Sequence, residues 1–541
     1  MNQPARVNPS KSAYTPVRAP RGPNLSCLGW HQEAALRMLM NSLDEEVAEQ
    51  PREMIVCGAA AKPILNWDCF HATVQQLKRL KNNETLLVLS GQPAGMLQTQ
   101  EAAPRVVMVN SSAIPGWAPP DKLREIESRG IKCFPSAEVE GWTCLGAQGN
   151  VERTFEILAT VARKQFGGNL AGKLIASGGM GSMGGALSLA ATLHGAAFLG
   201  IEVNPGRIKR RIRAGYCDYC VNNLDEALRI LKNAVRQKQP VSVGLVGNCA
   251  EIIPEMASRG VVPDILSDQT GADDLLNGYI PAGLSLELAG ELRRQNPEDY
   301  VKRAGDSTGR HVKGMLELQK LGAVTFELAN NIRATAYAFG GVTNAFDFPD
   351  VDSAYIQSLV SEAAAPVRCV ALSGNTRDIY RVDDLLLDLF PDNADLSRWI
   401  RLARKHMRFQ GLPARTYTLN PKERAIFGER LNGLAGRGEL TAPMVVARDE
   451  TDRGAAVSSL LNSAEIKDAS DSVINQPMLH ALLDSAAGAS WVSFHSCGSM
   501  DANSHYHASY ATLADGTPSA AERLHQILRD NHGSSPIHHA V

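Results

Sequence analysis

The 541-residue sequence has no long hydrophobic run and no excess of charge of either sign. No uninterrupted apolar stretch approaches the roughly 20 residues that a bilayer-spanning helix needs, so we expect no membrane span. Lys and Arg total 55 and Asp and Glu total 57, which removes the attraction for nucleic acid or anionic membranes that a basic chain would have. The balance favours a small-molecule or protein partner.

The cysteines show no pattern of disulfide partners or metal ligands. They are scattered from Cys27 to Cys497, as is typical of reduced thiols in a cytoplasm. Cys217 and Cys220 form a CxxC motif without a second pair or an obvious His partner, so we expect no metal site. Residues 1–23 are polar and proline-rich, without the apolar core of a signal peptide. These features predict a cytoplasmic protein.

The order of predicted elements indicates an α/β protein of about three domains. Strands alternate with helices between residues 54 and 109, and again more regularly between 172 and 268, which predicts a mostly parallel sheet. The individual elements predicted in the N-terminal part are a helix within 24–51, a strand at 54–57, a helix at 67–80, and strands at 85–89 and 106–109. Beyond residue 347 the pattern is predominantly helical, with helices at 355–364, 399–407 and 477–486.

A glycine-rich loop is the most informative local motif. Gly179-x-Gly181-x-x-Gly184 follows a predicted strand and precedes a helix, and Glu202 lies near the end of the next strand. This is the pattern of a dinucleotide site, in which glycines let the backbone approach a pyrophosphate and the acid binds a ribose hydroxyl. Glu202 favours NAD over NADP because a carboxylate repels a 2′-phosphate. The alternative is a glycine-rich packing turn.

Other polar residues follow neighbouring strands. Arg207 and the basic run 209–213 are candidates for the pyrophosphate or for a solvated helix face. Asn248-Cys249 follows a strand at 241–246, and Gln269-Thr270 follows another at 264–266. Ligands gather where parallel strands end at their carboxyl edge, so these residues are candidates for the same site or for ordinary turns.

Several blocks of sequence resemble the urocanase family. They occur in the family's order from about residue 24 to residue 530 and together cover nearly the whole chain. The segments are Gly181–Thr192, Asp264–Thr270, Asn277–Tyr279, Asn330–Arg333, Val370–Gly374 and Gly488–Ser493.

The resemblance implies a hydratase that adds water to urocanate and gives imidazolone propionate. It implies a tightly held NAD that acts as an electrophile, and a homodimer. The implied organisation is a Rossmann-like NAD-binding domain at 141–347 with a parallel sheet. This domain is set between an N-terminal α/β core part at 1–140 and a C-terminal, mainly helical core part at 348–541.

The expected cofactor contacts lie in the matching blocks. They are Gly58, Ala59, Gly181, Ser182, Met183, Gly184, Glu202, Arg207, Asn248, Cys249, Gln269, Thr270, Tyr279, Ile280 and Ser499.

The chain departs from the family pattern where the substrate is expected to sit. Either catalysis is lost or the site acts on a different ring. Replacing a Tyr by Leu leaves an apolar wall that suits a methyl or thioether group, whose burial is worth about 0.8 kcal/mol per methylene-sized unit. The departures are Ala59 for Gly, Ser136 for Gln, Asp273 for His, Leu328 for Tyr, Tyr417 for Cys, and His495 to Ser499 for His-His-Gly-Gly-Gly.

Two arginines are candidates for the substrate carboxylate. Arg333 and Arg415 each offer a guanidinium that matches a carboxylate in bidentate fashion. The alternative for either is a structural role that holds a loop. Together with Asp273, Leu328 and Ser136 they form the expected substrate-binding set.

Five residues are candidates for proton transfer. Asp449 and Asp452 match an acidic block of the family and are expected to act as acid or base, or else as loop acids. His495 and His507 are candidate proton shuttles, or satisfied buried histidines. Tyr417 either donates a proton near the nicotinamide or fills space.

The leading prediction is an NAD-dependent hydratase of a modified urocanate, with S-methyl thiourocanate or thiourocanate as the first candidates. The alternatives are an ordinary urocanate hydratase, a non-catalytic NAD-binding protein, and a dehydrogenase with dissociable NAD.

Overall fold

The computed structural model describes residues 15–58, 61–110, 141–328, 330–356, 364–448, 456–457, 476–497 and 505–530. Across these residues, none of the helices combines the length and the apolar character that crossing a membrane requires.

The described residues form fifteen α-helices. In chain order they are α1 Trp30–Ser42, α2 Trp67–Arg79, α3 Val151–Gln165, α4 Ser182–Leu193, α5 Pro205–Ala214, α6 Leu224–Gln237, α7 Cys249–Ser258, α8 Leu286–Gln295, α9 Pro297–Lys320, α10 Ile332–Ala338, α11 Thr376–Leu389, α12 Ala394–His406, α13 Pro421–Gly436, α14 Gln476–Ala486 and α15 Pro518–Asp530.

The same residues form fifteen β-strands. They are β1 Glu84–Leu89, β2 Gln92–Gln98, β3 Val106–Val109, β4 Leu174–Gly178, β5 Ala197–Glu202, β6 Tyr219–Val221, β7 Val241–Val246, β8 Ile265–Asp268, β9 Val324–Thr325, β10 Ala365–Ala371, β11 Ala414–Leu419, β12 Met444–Arg448, β13 Ala456–Val457, β14 Trp491–Cys497 and β15 His505–Ala514.

Strands β4 to β9 form a parallel sheet with the order β6-β7-β5-β4-β8-β9. Every residue of β5 is buried, as expected of a parallel strand that helices cover on both faces. After β4 the chain moves to β5 on one side, and β8 pairs with β4 on the other side. This reversal creates a crevice at the carboxyl ends of the strands. The structure confirms the α/β class and the predicted alternation between residues 172 and 268.

The other nine strands form a mixed sheet that joins the two ends of the chain. Its order is β11-β10-β12-β15-β14-β3-β1-β2, with β13 paired to β15. Strand β3 from the N-terminal part lies parallel to β14 from the C-terminal part. The parallel sheet is therefore an insertion between two halves of one mixed sheet.

Some predicted elements differ from the structure. Helices α2, α12 and α14 are confirmed, whereas α1 is shorter than the predicted 24–51. The predicted strand at 54–57 is replaced by the isolated bridges Gln50–Ile55 and Cys57–Ala61. The predicted helix at 355–364 begins inside a π-helix at Asp352–Ile356, and residues 357–363 lie outside the described part. The C-terminal part also forms six strands that the helical pattern did not predict.

Candidate active site

A cleft lies at the carboxyl ends of β4, β5, β7 and β8, where a turn from the N-terminal part closes it. It encloses about 1230 Å³, including open solvent at its mouth. Its lining contains every expected cofactor contact that the structure describes. Those residues are Gly58, Gly181, Ser182, Met183, Gly184, Glu202, Arg207, Asn248, Cys249, Gln269, Thr270, Tyr279 and Ile280.

The loop between β4 and α4 is shaped by its glycines. Gly179 has a φ of 78°, in the left-handed region that favours glycine. A Cβ at Gly184 would overlap the carbonyl oxygen of Gly179, so only glycine permits this close turn. At Gly181 a Cβ would meet no atom within 4 Å, which leaves open space against the backbone. Helix α4 begins there without a side-chain cap. Its free N–H groups and positive dipole end suit an anion such as a pyrophosphate.

Glu202, at the end of β5, stabilises this loop through hydrogen bonds. Its Oε2 accepts a hydrogen bond from Met180 N at 2.9 Å, and its Oε1 accepts one from Asn204 N at 2.9 Å. Arg207 Nη1 lies 3.6 Å from Oε1, and this carboxylate raises the pKa of Arg207. A carboxylate has about four lone-pair sites, so Glu202 can still accept a bond from a ligand hydroxyl.

The basic run after Arg207 contacts the N-terminal part of the chain. Arg210 donates to the carbonyl oxygens of Ala48 and Glu45, and Arg211 forms a buried ion pair with Glu49. These two arginines therefore serve neither a solvated face nor the cleft directly.

Glu49 is a cleft residue that the sequence did not reveal. Its side chain is buried, lines the cleft and accepts a hydrogen bond from Ser182 Oγ at 2.9 Å. Burial raises the pKa of Glu49, but the cations led by Arg211 outweigh this and hold the pKa below its usual value. No local motif marks this acid, because its partners lie more than a hundred residues away in the sequence.

Cys57 and Asn330 are two further lining residues that were not predicted. The Asn330 side chain donates to Asp268 and to the carbonyl oxygen of Thr270 at 2.8 Å. This amide holds the turn that follows β8. Its position in the Asn330-Asn-Ile-Arg block was the available signal.

Asp273 is the expected substrate-binding residue that the structure places in the cleft. The side chain is half-buried, and burial, followed by repulsion from Asp274, raises its pKa to about 6. Within the described residues Asp273 has no cationic partner. Leu328 is buried behind the lining, and its carbonyl oxygen accepts a hydrogen bond from Gln269 Nε2.

The two candidate arginines lie away from the cleft lining. Arg333 Nε is 3.1 Å from Glu327, Nη1 donates to the carbonyl oxygen of Phe348 at 2.9 Å, and Nη2 is 3.3 Å from Asp350. These contacts match the structural alternative, in which the arginine holds a loop.

Arg415 is fully buried, with Nε 3.2 Å from Asp383. Tyr417 donates to the same carboxylate at 2.9 Å and is equally buried in the core. Desolvation and this carboxylate raise the pKa of Tyr417 well above its usual value. Neither residue lines the cleft, so the structure does not bring them together with the expected cofactor contacts.

His495 and His507 face each other across the β14–β15 pair, outside the cleft lining. His495 is fully buried, and neither ring nitrogen has a hydrogen-bond partner among the described residues. Burial, with a smaller contribution from His507, lowers the pKa of His495 to about 3. The remaining candidates lie outside the described residues: Ala59, Ser136, Asp449, Asp452 and Ser499.

Three family models match consecutive parts of the chain. The model described as the urocanase N-terminal domain matches residues 17–142, the urocanase Rossmann-like domain matches 146–356, and the urocanase C-terminal domain matches 358–540. The crystal structure of L-tryptophan dehydrogenase from Nostoc punctiforme is similar at 14% identity over 45% of this chain, with a TM-score of 0.17. The match spans about half of that structure's length (53%).

Proposed function

The chain belongs to the urocanase family of hydro-lyases, and from this premise we propose that it holds NAD in the cleft and hydrates a modified urocanate. S-methyl thiourocanate and thiourocanate are the first candidates for the substrate. The observation that carries the proposal is the single cleft at the sheet edge, which collects all the described cofactor contacts expected from the sequence.

The cleft fits NAD in shape and in donor chemistry. The open space at Gly181 and the uncapped start of α4 suit the pyrophosphate. Glu202 suits a ribose hydroxyl and disfavours a 2′-phosphate at the same place. Bound NAD would supply an electrophilic nicotinamide ring to an electron-rich imidazole.

The residues of the chain then position the substrate and move protons. Among the cleft groups with shifted pKa values, Asp273 has the pKa nearest to neutrality, at about 6. A carboxyl group with this pKa transfers protons efficiently near neutral pH. It can also accept a hydrogen bond from a ring N–H. We therefore assign to Asp273 the binding of the substrate ring or a proton transfer to it.

The departures from the family pattern support a modified ring. Leu328 stands where the family has a hydroxyl-bearing side chain, and its backbone carbonyl accepts a hydrogen bond from Gln269, which lines the cleft. Asp273 replaces an imidazole by a carboxylate. A pocket changed in this way disfavours plain urocanate, because polar groups of the substrate lose their partners.

Absorbance measures the proposed reaction directly. Hydration removes the conjugation of the acrylate side chain, so turnover appears as loss of near-ultraviolet absorbance. Purified protein with measured NAD content is mixed with urocanate, thiourocanate, S-methyl thiourocanate and N-methyl urocanates in parallel. Selective bleaching of a sulfur-substituted compound is the expected result.

The other outcomes separate the alternatives. Fastest bleaching of plain urocanate would establish an ordinary urocanate hydratase. No bleaching of any compound by protein that holds NAD would favour a non-catalytic NAD-binding protein and overturn the proposal.

A further inference from the structure

A buried group of three potential metal ligands lies directly beneath the cleft. Cys249 at the start of α7, Asp268 at the end of β8 and His311 in α9 bring Sγ, a carboxylate oxygen and a ring nitrogen within 4.8 Å of one another. All three residues are buried, and only Cys249 also lines the cleft.

Two of the three facing atoms lack hydrogen bonds, whereas Cys249 Sγ donates to the carbonyl oxygen of Ile201 at 3.8 Å. Asp268 Oδ1 and His311 Nε2 are 3.7 Å apart, too far for a hydrogen bond, and neither has another hydrogen-bond partner among the described residues. Buried polar atoms nearly always have hydrogen-bond partners. Two neighbouring buried atoms without partners therefore indicate that a third group binds between them.

The remaining polar atoms of the same residues are satisfied. Asp268 Oδ2 accepts hydrogen bonds from Thr270 Oγ1 at 2.6 Å, from Thr270 N at 3.2 Å and from the Asn330 side chain. His311 Nδ1 lies 3.2 Å from the Tyr279 hydroxyl. This arrangement is typical of metal sites, in which outer hydrogen bonds orient each ligand and leave one atom free for the ion.

From this geometry we propose that Cys249, Asp268 and His311 bind one Zn²⁺ ion. Thiolate, imidazole and carboxylate are the ligands that zinc prefers, and three protein ligands leave a fourth tetrahedral position for water. Binding displaces the Cys249 thiol proton to solvent, so the thiolate and the Asp268 carboxylate together balance the charge of the ion. His311 binds through Nε2 as neutral imidazole, and Nδ1–H donates to the Tyr279 oxygen.

The ion would support the cofactor loop from behind. A Cβ at Gly178 would lie 2.8 Å from Cys249 Sγ and would overlap Asp268 Oδ1, so the last residue of β4 packs directly on the ligands. Gly178 is followed by the glycine turn of the cleft. Zinc at this position would fix the ends of β4 and β8 against each other, independently of the substrate proposed above.

Zinc content and X-ray absorption test the site without an activity assay. Full-length protein is produced in zinc-supplemented medium, and zinc per chain is measured by inductively coupled plasma mass spectrometry. We expect one zinc per chain. Its absorption spectrum should show one sulfur at about 2.3 Å and nitrogen or oxygen ligands at about 2.0 Å.

Substitutions locate the ion. Cys249→Ala should lose the zinc and the sulfur signal, whereas Cys217→Ala, which removes another buried thiol of the same domain, should retain both. Tyr279→Phe removes the acceptor of the His311 N–H and should weaken zinc affinity roughly 10- to 100-fold in competition with a chelator. Circular dichroism checks that each variant is folded.

Two results would overturn the proposal. One is wild-type protein without stoichiometric zinc, which would leave a bridging water as the group between Asp268 and His311. The other is folded Cys249→Ala that retains zinc with a sulfur ligand, which would place the ion elsewhere, for example at the Cys217–Cys220 pair.

Discussion

Glu202 illustrates how one carboxylate serves both the fold and the proposed site. Its two oxygens accept the backbone N–H groups of Met180 and Asn204, while the side chain remains part of the cleft wall. Asp273 differs, because its carboxyl group has no cationic partner among the described residues and faces the ligand space. We therefore expect replacement of Glu202 and replacement of Asp273 to have different effects.

Replacing Glu202 by Ala should lower NAD retention about tenfold or more. The substitution removes the acceptor proposed for the ribose and leaves two backbone donors without their partner, at a cost of about 1–3 kcal/mol. The NAD released from denatured protein and the melting temperature measure the two effects. Glu202→Gln is the matched control. It keeps one acceptor, so its NAD retention should lie between those of the wild type and the Ala variant. Unchanged NAD content in the folded Ala variant would remove Glu202 from the assigned role.

Replacing Asp273 by Asn should stabilise the cofactor-free protein at neutral pH. The folded-state pKa of about 6 lies above the ordinary value of 3.8, so folding favours the protonated acid. Its contribution to stability is present below the ordinary pKa and is lost as pH rises through about 6. Asn mimics the neutral acid, so we expect a gain of about 1 kcal/mol near pH 8, after allowance for solvent screening, and little change near pH 4.

Thermal unfolding at the two pH values measures the effect of Asp273→Asn. Asp274→Asn is the comparison variant: it relieves the repulsion on Asp273 but loses the acceptor of the Leu276 and Asn277 N–H groups, so it should stabilise the protein less than Asp273→Asn does. Equal melting shifts at both pH values for Asp273→Asn would contradict the assigned pKa.

At the scale of elements, the β4–α4–β5 unit was predictable because its signals are local. The glycines, the helix and the acid occur within one short stretch, and each has a conformational reason to be there. The C-terminal strands were not predictable in the same way. β10, β12 and β15 depend on pairing between segments far apart in the sequence, and their apolar runs do not distinguish strands from buried helices.

The cluster of Cys249, Asp268 and His311 could not be predicted either, because its members are far apart in the sequence. Its members belong to three elements with no shared motif, so no ligand spacing can be read from the sequence. Tyr417 and Arg415 were assigned to the site from the sequence but lie outside the cleft lining. Arg415 keeps a residue of the corresponding family block and Tyr417 departs from it, but residue type alone did not indicate that both side chains turn to Asp383 in the core.

Two glycines of the cofactor loop should respond differently to a methyl group. Gly184→Ala places Cβ against the carbonyl oxygen of Gly179 and should destabilise the fold by several kcal/mol, on the order of 3. Gly181→Ala meets no protein atom and has an ordinary φ of −63°, so stability should change by about 1 kcal/mol or less. NAD content should nevertheless fall, because the methyl group enters the cleft.

Melting temperature and NAD content, measured on both variants, separate folding from binding. If Gly181→Ala retains full NAD, the pyrophosphate does not lie against this backbone.

At the scale of the whole molecule, the cleft lies between the inserted parallel sheet and a turn of the N-terminal part. The mixed sheet joins the N-terminal and C-terminal parts, and the parallel sheet is inserted between them. Two residues connect the N-terminal part to the inserted part at the cleft. Glu49 accepts a hydrogen bond from Ser182 and forms an ion pair with Arg211, and Arg210 donates to the backbone carbonyl next to Glu49. Cofactor binding is therefore expected to stabilise the contact between the two parts as well as the Rossmann-like unit itself.

Replacing Glu49 by Gln should weaken this contact. It leaves the buried Arg211 without its counter-ion, which costs about 3–5 kcal/mol when one partner of a buried pair is removed. Because the pKa of Glu49 is lowered in the folded protein, its contribution is present above the ordinary pKa of 4.5 and is lost on acidification. The variant should therefore melt lower near neutral pH, gain less stability from added NAD, and lose part of the wild-type acid sensitivity.

Calorimetry with and without NAD measures these effects, and a double-mutant cycle with Arg211→Met isolates the pair. The control is Asp225→Asn, which removes the partner of Arg259 in an exposed pair and should leave the melting temperature nearly unchanged. Additive effects of the Glu49 and Arg211 substitutions would show that the pair does not couple. If NAD stabilises the Glu49→Gln variant as much as the wild type, cofactor binding does not strengthen the contact with the N-terminal part.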